Sequence, residues 1–249
     1  MSRSVPLVVA AYNDAMVEAL RGPLQHFLRS GDEIDLVSGN HDRPLSLPTL
    51  NRWATDLAST LPSGVRFAAH TSGLGKVATI AEEALPSLTS ILLDYEPNWD
   101  PEFTWEFGPT LAHFDQFSSI CRAHGRRAVA YPTGRPIQED SLQRYGWDYG
   151  EIGRHVDDVY PQTQHWATVG SAGWSTAIQR LRSQWVAHGF DPHGLLIQLT
   201  LGDRDNGLPS SSAVARFREA VSQGVGRLFL WWNPAVLEDM AKLLETLDS

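Results

Sequence analysis

A chain of 249 residues with a formal net charge of -9 has the length of one α/β barrel and enough material for a full hydrophobic core. The missing basic excess argues against nucleic acid or an anionic membrane as partner and disfavours polyanionic substrates, since little is available to neutralise phosphates. A single cysteine, Cys121, excludes an internal disulfide, and nine tryptophans are more than a core of this size calls for, so some are expected to serve as flat stacking surfaces.

Met1-Ser2-Arg3 leads directly into the first β-rich run, 5–12. That run is too short for a secretory signal, and no later segment is apolar for long enough to span a bilayer, so cytoplasmic residence is the expectation. Seven more such runs follow: 34–38, 65–70, 90–96, 127–132, 156–162, 194–200 and 226–232. Between them lie helical stripes, among them Leu50, Trp53, Leu57 and Leu61; Ile178, Leu181 and Trp185; Val214, Phe217 and Val221; and Val236, Met240, Leu243, Leu244 and Leu247. Gly31, Pro86, Gly125, Gly189 and Gly224 stand where helices should stop, and Ser210-Ser211-Ser212 offers a cap. Cys121 falls on an apolar helix face with Phe114 and Phe117. Alternation of strand and helix calls for a parallel sheet, and eight units in one domain, 1–249, call for an α/β fold closed as a single (β/α)8 TIM barrel. An open doubly wound sheet would need a glycine-rich turn after the first strand, and none is present.

In a barrel of this kind the carboxyl ends of the strands converge on one site. They supply Tyr12 and Asn13, Ser38, His70, Asp94 and Glu96, Tyr131 and Thr133, Tyr160 and Gln162, Gln198 and Thr200, and Trp231, Trp232 and Asn233. Asp94 and Glu96 are two apart on a strand and so project side by side, and neighbouring carboxylates resist simultaneous ionisation, which suits Glu96 to act as a general acid. The loop after them carries Trp99, Phe103, Trp105 and Phe107. Hydrogen-bonding side chains and flat rings together are what a sugar site needs, with Tyr12, Trp99, Tyr131, Gln162, Gln198, Trp231, Trp232 and Asn233 as candidate binding residues.

A two-carboxylate retaining glycosidase needs a second acid about 5 Å from the first, and the seventh strand offers Gln198 and Thr200 instead. No nucleophile elbow occurs, the nine histidines lack metal-ligand spacing, and Asn233-Pro234-Ala235 lacks the glycines of a phosphate cradle. No cofactor and no metal are therefore expected. One acid with a partner aspartate fits catalysis in which the substrate's own 2-acetamido group attacks the anomeric carbon. Two alternatives stand beside it: a two-carboxylate glycosidase in which Asp203 or Asp205 swings in, and a non-catalytic carbohydrate-binding barrel.

Leu92-Leu93-Asp94-Tyr95-Glu96 with Trp99 resembles the D-W-E segment of the hyaluronidases and the terminal D-x-E of the chitinase family. Tyr160-Pro161-Gln162 is similar to the hyaluronidase Y-P-S and holds the place of the chitinase tyrosine; Leu228 to Trp232 resembles the strand ending in a subsite tryptophan; and Ala130-Tyr131-Pro132 is similar to the aromatic-proline turn after the hyaluronidase fifth strand. The resemblance implies Glu96 as acid, Asp94 as its partner, Tyr160 as the hydroxyl that orients the acetamide, and Trp231 as subsite floor. It implies a carbohydrate or glycosylated small molecule as substrate. The chain departs from the chitinase motif at Leu92 and Thr89, where that family has further aspartates, and it lacks the hyaluronidase cysteines.

Overall fold

The computed structural model describes residues 5–39, 44–95, 110–133, 146–202 and 207–248. Its strands are β1 (Leu7–Ala11), β2 (Glu33–Leu36), β3 (Arg66–Ser72), β4 (Leu88–Tyr95), β5 (Arg127–Pro132), β6 (Asp158–Val159), β7 (Leu196–Leu201) and β8 (Arg227–Trp232). The helices are α1 (Asp14–Arg21), α2 (Leu47–Ala58), α3 (Leu74–Glu83), α4 (Leu111–Ala123), α5 (Tyr149–Gly153), α6 (Gln164–Thr168), α7 (Ser171–Ala187), α8 (Ser210–Ser222) and α9 (Leu237–Asp248). All pairings are parallel and run β6-β5-β4-β3-β2-β1-β8-β7. The pairing of β1 with β8 closes the ends of the sequence on each other, as a (β/α)8 barrel requires.

The seam lies between β6 and β7, where a side chain takes over from the backbone ladder. Thr163 Oγ1 donates to the Gln198 carbonyl at 2.9 Å and accepts the Gln198 N–H at 2.7 Å. The paired part of β6 is two residues long, shorter than the 156–162 run predicts: Tyr160 and Gln162 still donate to the Ala130 and Pro132 carbonyls of β5, but Pro132 has no N–H to return and the regular ladder ends there.

Strand alternation splits the core in two. Leu7, Val9, Ile34, Leu36, Ile91, Leu93, Ile197, Leu199, Leu228 and Leu230 face outward to the helices. Val8, Ala10, Leu92, Val129, Tyr131, Tyr160, Leu196 and Phe229 fill the interior. Each large aliphatic side chain removed from water in this way contributes about 1.5–3 kcal/mol, which is why strands buried on both faces read as unbroken apolar runs.

The helical stripes pack as predicted at Leu50, Trp53 and Leu57, at Ile178, Leu181 and Trp185, and at Met240, Leu243 and Leu244, but Val221 is exposed. Gly125, Gly189 and Gly224 take positive φ between 66° and 94°, the left-handed geometry that a side chain resists at a helix stop, whereas α1 already ends at Gly22 and Gly31 stands in the turn before β2. The serine cap is corrected: Pro209 holds the cap position of α8 and Ser210 is already helical. Cys121 is buried in α4, and burial pushes its thiol up to about 12, so it stays protonated and unreactive. Among the described residues no helix is long and apolar enough to cross a membrane.

Candidate active site

The interior alternation that builds the core also sets which side chains reach the mouth. On β4 it points Ser90, Leu92 and Asp94 inward, and Asp94 is the last of these before the strand leaves the described residues. Asp94 Oδ1 accepts from Gln162 Nε2 at 2.9 Å, and the same amide lies 3.3 Å from the Tyr131 carbonyl, so one buried glutamine ties the carboxyl ends of β4, β5 and the chain after β6. The carboxylate keeps 23% exposure, enough to meet a ligand.

Behind Asp94 stands a chain of charges on the neighbouring strands. His70 Nε2 lies 3.6 Å from Asp94 Oδ2, an ion-pair distance beyond hydrogen-bond range. His70 Nδ1 lies 2.8 Å from Asp35 Oδ2, and both residues are buried. Burial alone would push the imidazole pKa down, but the Asp35 carboxylate, hydrogen-bonded to it, and Asp94 beyond overcome that and raise it to about 10. His70 is an imidazolium at neutral pH, donating from Nδ1 to Asp35. The other Asp35 oxygen, Oδ1, is buried without a hydrogen-bond partner among the described residues, as is Gln198 Oε1.

Aromatic rings complete the cup. Tyr131 and Trp231 meet the His70 ring edge-on at centroid distances of 5.3 and 6.0 Å, and Tyr12 stacks on Trp231 at 5.6 Å with planes 15° apart. Phe229 lies beneath Tyr131 and Trp231. Trp231 is half-buried, so the Tyr12-Trp231 pair offers a flat apolar surface beside an anchored carboxylate, the two elements that recognise a pyranose.

Asp94, Tyr131, Gln162, Trp231 and Tyr12, all nominated by the sequence, thus stand together at the carboxyl end of the barrel. Gln198 and Thr200 are buried inward-facing residues of β7. Glu96, Trp99, Asp203 and Asp205 lie outside the described residues.

Two expectations are corrected, at Tyr160 and Trp232, and the side-chain oxygen of Asn233 is already in use. Tyr160 is fully buried and its hydroxyl points to the amino end of the barrel, where it donates to Glu33 Oε1 at 3.0 Å and accepts from Arg227 Nη2 at 2.8 Å. Glu33, Arg227, Arg127 and Asp158 all stand at strand starts, and Arg227 and Arg127 both pair with Asp158. Burial pushes the Tyr160 hydroxyl far up in pKa, with Glu33 and Asp158 adding to it, so it remains a donor locked in this network. Trp232 faces outward, fully buried, with its indole N–H given to the Ala10 carbonyl at 2.8 Å. Asn233 caps the short turn Pro234–Val236 through Oδ1 and the Ala235 N–H, and Asn13 caps α1 in the same way.

Asp35 and Glu33 were not singled out by sequence reasoning, although a signal existed. In Glu33-Ile34-Asp35-Leu36 two acids alternate with two aliphatics, and since the outer face of a barrel strand is covered by helices, the acids had to face the interior. Among the described residues no cluster of three or more histidine, cysteine, aspartate or glutamate side chains is arranged to hold a metal ion.

No protein-family model matches the sequence. No curated protein is similar enough to count as a relative. Solved structures share the fold across the whole chain. The glycoside hydrolase domain of PgaB (BpsB) from Bordetella bronchiseptica superposes with a TM-score of 0.68 at 10% identity, covering 98% of this chain and 99% of that one. A GH18 chitinase from Pseudoalteromonas aurantia gives 0.63 at 10% identity, covering 97% and 98%. The carboxyl transferase domain of Rhizobium etli pyruvate carboxylase, with a different chemistry, gives 0.56 at 10% identity over 99% of this chain and 48% of that one. The chain is therefore a (β/α)8 barrel that resembles chitinase-like glycosidases in fold, and its chemistry has to be argued from its own side chains.

Proposed function

We propose that this barrel is a glycoside hydrolase that cleaves a sugar carrying a 2-acetamido group by substrate-assisted, retaining catalysis. The observation that carries the proposal is the placement of Asp94: a partly exposed carboxylate at the carboxyl end of β4, tied by Gln162 and flanked by the Tyr12-Trp231 stack. The whole-chain likeness to glycosidase barrels supports it.

In this reading the sugar at the cleavage point lies against the Trp231 indole. Glu96 gives its proton to the glycosidic oxygen as the bond to the anomeric carbon breaks. The acetamido carbonyl oxygen attacks that carbon from the opposite face, and Asp94 accepts the acetamide N–H and stabilises the positive charge of the oxazolinium ion that forms. Water then gives a proton to Glu96 and opens the ring with net retention. Gln162, by holding Asp94, takes over the orienting part that the sequence resemblance gave to Tyr160. The acidic chain and the carboxylate at the mouth favour an uncharged glycan or glycosylated small molecule over an anionic one.

A thiazoline that mimics the cyclised acetamide is expected to inhibit competitively and far more strongly than the parent sugar, since it resembles the state such a site binds best. A fluorinated mechanism-based glycoside is expected to leave no covalent adduct by mass spectrometry. An adduct on Asp203 or Asp205 would replace this mechanism with the two-carboxylate one. Sugar binding lost in Trp231→Ala, with no turnover of any glycoside, would leave a binding barrel.

A further inference from the structure

The charge chain behind Asp94 is built from three strands, and among its described members Asp94 is the most exposed. Asp35 is wholly buried, and His70 is 4% exposed. The imidazole is held on every side: Asp35 on β2 at Nδ1, Asp94 on β4 at Nε2, and the edges of Tyr131 on β5 and Trp231 on β8 against its ring. A ring so confined cannot follow a carboxylate that rotates; the carboxylate has to settle to suit the ring.

We propose that Asp35 and His70 are positioning residues for Asp94: Asp35 fixes the imidazolium, and the imidazolium holds the Asp94 carboxylate turned toward the reacting sugar. The proposal rests on the reading of Asp94 as the acetamide's partner. The two sides of that carboxylate are held differently. Oδ1 is taken by a 2.9 Å hydrogen bond from Gln162, whereas among the described residues Oδ2 meets only the imidazolium, at the longer distance of 3.6 Å. Oδ2 therefore keeps its lone pairs for a substrate N–H while a fixed positive charge stands behind it. A buried ion pair that served packing alone would not need to end on a partly exposed oxygen at the mouth.

Among the described residues the charged and titratable groups facing His70 are Asp35, Asp94 and the Tyr131 phenol, so the pairing can be read without a substrate. Nitrogen-15 signals of the His70 ring and the carbon-13 signal of the Asp94 carboxyl are followed against pH in wild type and Asp35→Asn. In parallel, kcat and KM are measured for Asp35→Asn and His70→Asn on an N-acetylglucosaminide. In wild type the ring is expected to titrate near about 10, and Asp35→Asn to bring it down by about 1–3 pH units and to shift the Asp94 signal with it. Misplacing a reacting group by a fraction of its length costs up to about 10²-fold, so kcat should fall about 10- to 100-fold in both variants while KM stays within about threefold. A wild-type ring that titrates near the ordinary 6.5, or an Asp94 signal indifferent to Asp35→Asn, would overturn the pairing. An equal loss in kcat and in thermal stability, restored in neither by Asp35→Glu, would reduce the pair to packing. Wild type that turns over no glycoside would refute the proposed function instead, and the coupling of the His70 and Asp94 signals would still decide whether the pair positions that carboxylate.

Discussion

Replacing Tyr160 with phenylalanine separates the two ends of the barrel. The hydroxyl donates to Glu33 Oε1 and accepts from Arg227 Nη2, far from the mouth. Arg227 keeps Asp158 through Nη1 and both carboxylate oxygens, at 2.8 and 2.7 Å, so the deficit falls on Glu33 Oε1 and on Arg227 Nη2, the two groups the hydroxyl bridges. Glu33 is 0% exposed, so bulk solvent does not reach the oxygen that loses its donor. A hydrogen bond to a buried charge contributes about 1.5–3 kcal/mol, and in a chain of this size each kcal/mol moves Tm by about 2–4 °C. Tyr160→Phe is therefore expected to lower Tm by about 3–12 °C. Burial already pushes the Glu33 carboxyl up, against the pull of Arg127 and Arg66, and the Tyr160 hydroxyl favours the ionised form. The loss should thus be larger at pH 8, where that form has to be accommodated, than at pH 5. Calorimetry at both values, with turnover measured well below Tm, checks this. Turnover within about twofold of wild type is expected, because the hydroxyl touches nothing at the carboxyl face. A fall near the 10²-fold typical of a lost oxyanion donor, at unchanged Tm, would refute the argument and return Tyr160 to the acetamide.

Trp231→Ala is expected to raise KM or Kd about 2- to 12-fold with kcat little changed, from the roughly 0.5–1.5 kcal/mol of an aromatic contact; inhibition constants for a sugar ligand measure it, and an unchanged Kd would remove the indole from the site. Thr163→Val removes the hydroxyl that bridges β6 and β7 and should raise amide exchange at Gln198 and its neighbours before any global loss of structure, which hydrogen exchange reads directly; uniform protection would mean the seam is held elsewhere. His70 carries a pKa raised in the folded state, so its stabilisation is complete below about 6.5 and is lost as pH rises toward about 10. Tm should fall across that window in wild type and more shallowly in His70→Asn, and parallel slopes would show the imidazole is not the titrating group.

The fold was legible because its physics is repetitive. A strand buried on both faces must be apolar throughout, and Leu7 to Ala11 or Leu196 to Leu201 could hardly be anything else. What sequence could not supply was direction within the barrel. Trp231 and Trp232 are adjacent, and nothing in Leu-Trp-Trp says which one faces inward until the register with β1 sets the parity; Trp231 turns to the cup and Trp232 to the helices. Tyr160 was misread for a related reason. Its backbone does follow β6, but a tyrosine side chain reaches about two strand residues, roughly 6.6 Å at 3.3 Å each, and this one lies toward the amino end, where Arg227 and Glu33 wait. Asp35 was legible in principle, since Glu33-Ile34-Asp35-Leu36 alternates acids with aliphatics, but β2 pairs over those four residues alone and the alternation lasts only two periods.

The central claim is that this barrel hydrolyses 2-acetamido glycosides with Glu96 as acid and Asp94 as the acetamide's partner. It is tested most directly by turnover of paired chromogenic substrates, N-acetylglucosaminide and N-acetylgalactosaminide against the plain glucoside and galactoside, by wild type, Glu96→Gln and Asp94→Asn. The account predicts release from the acetamido substrates alone, abolished in Glu96→Gln and strongly reduced in Asp94→Asn, with ligand binding retained in both. Equal hydrolysis of the plain glycosides, or wild-type rates in Glu96→Gln, would contradict it.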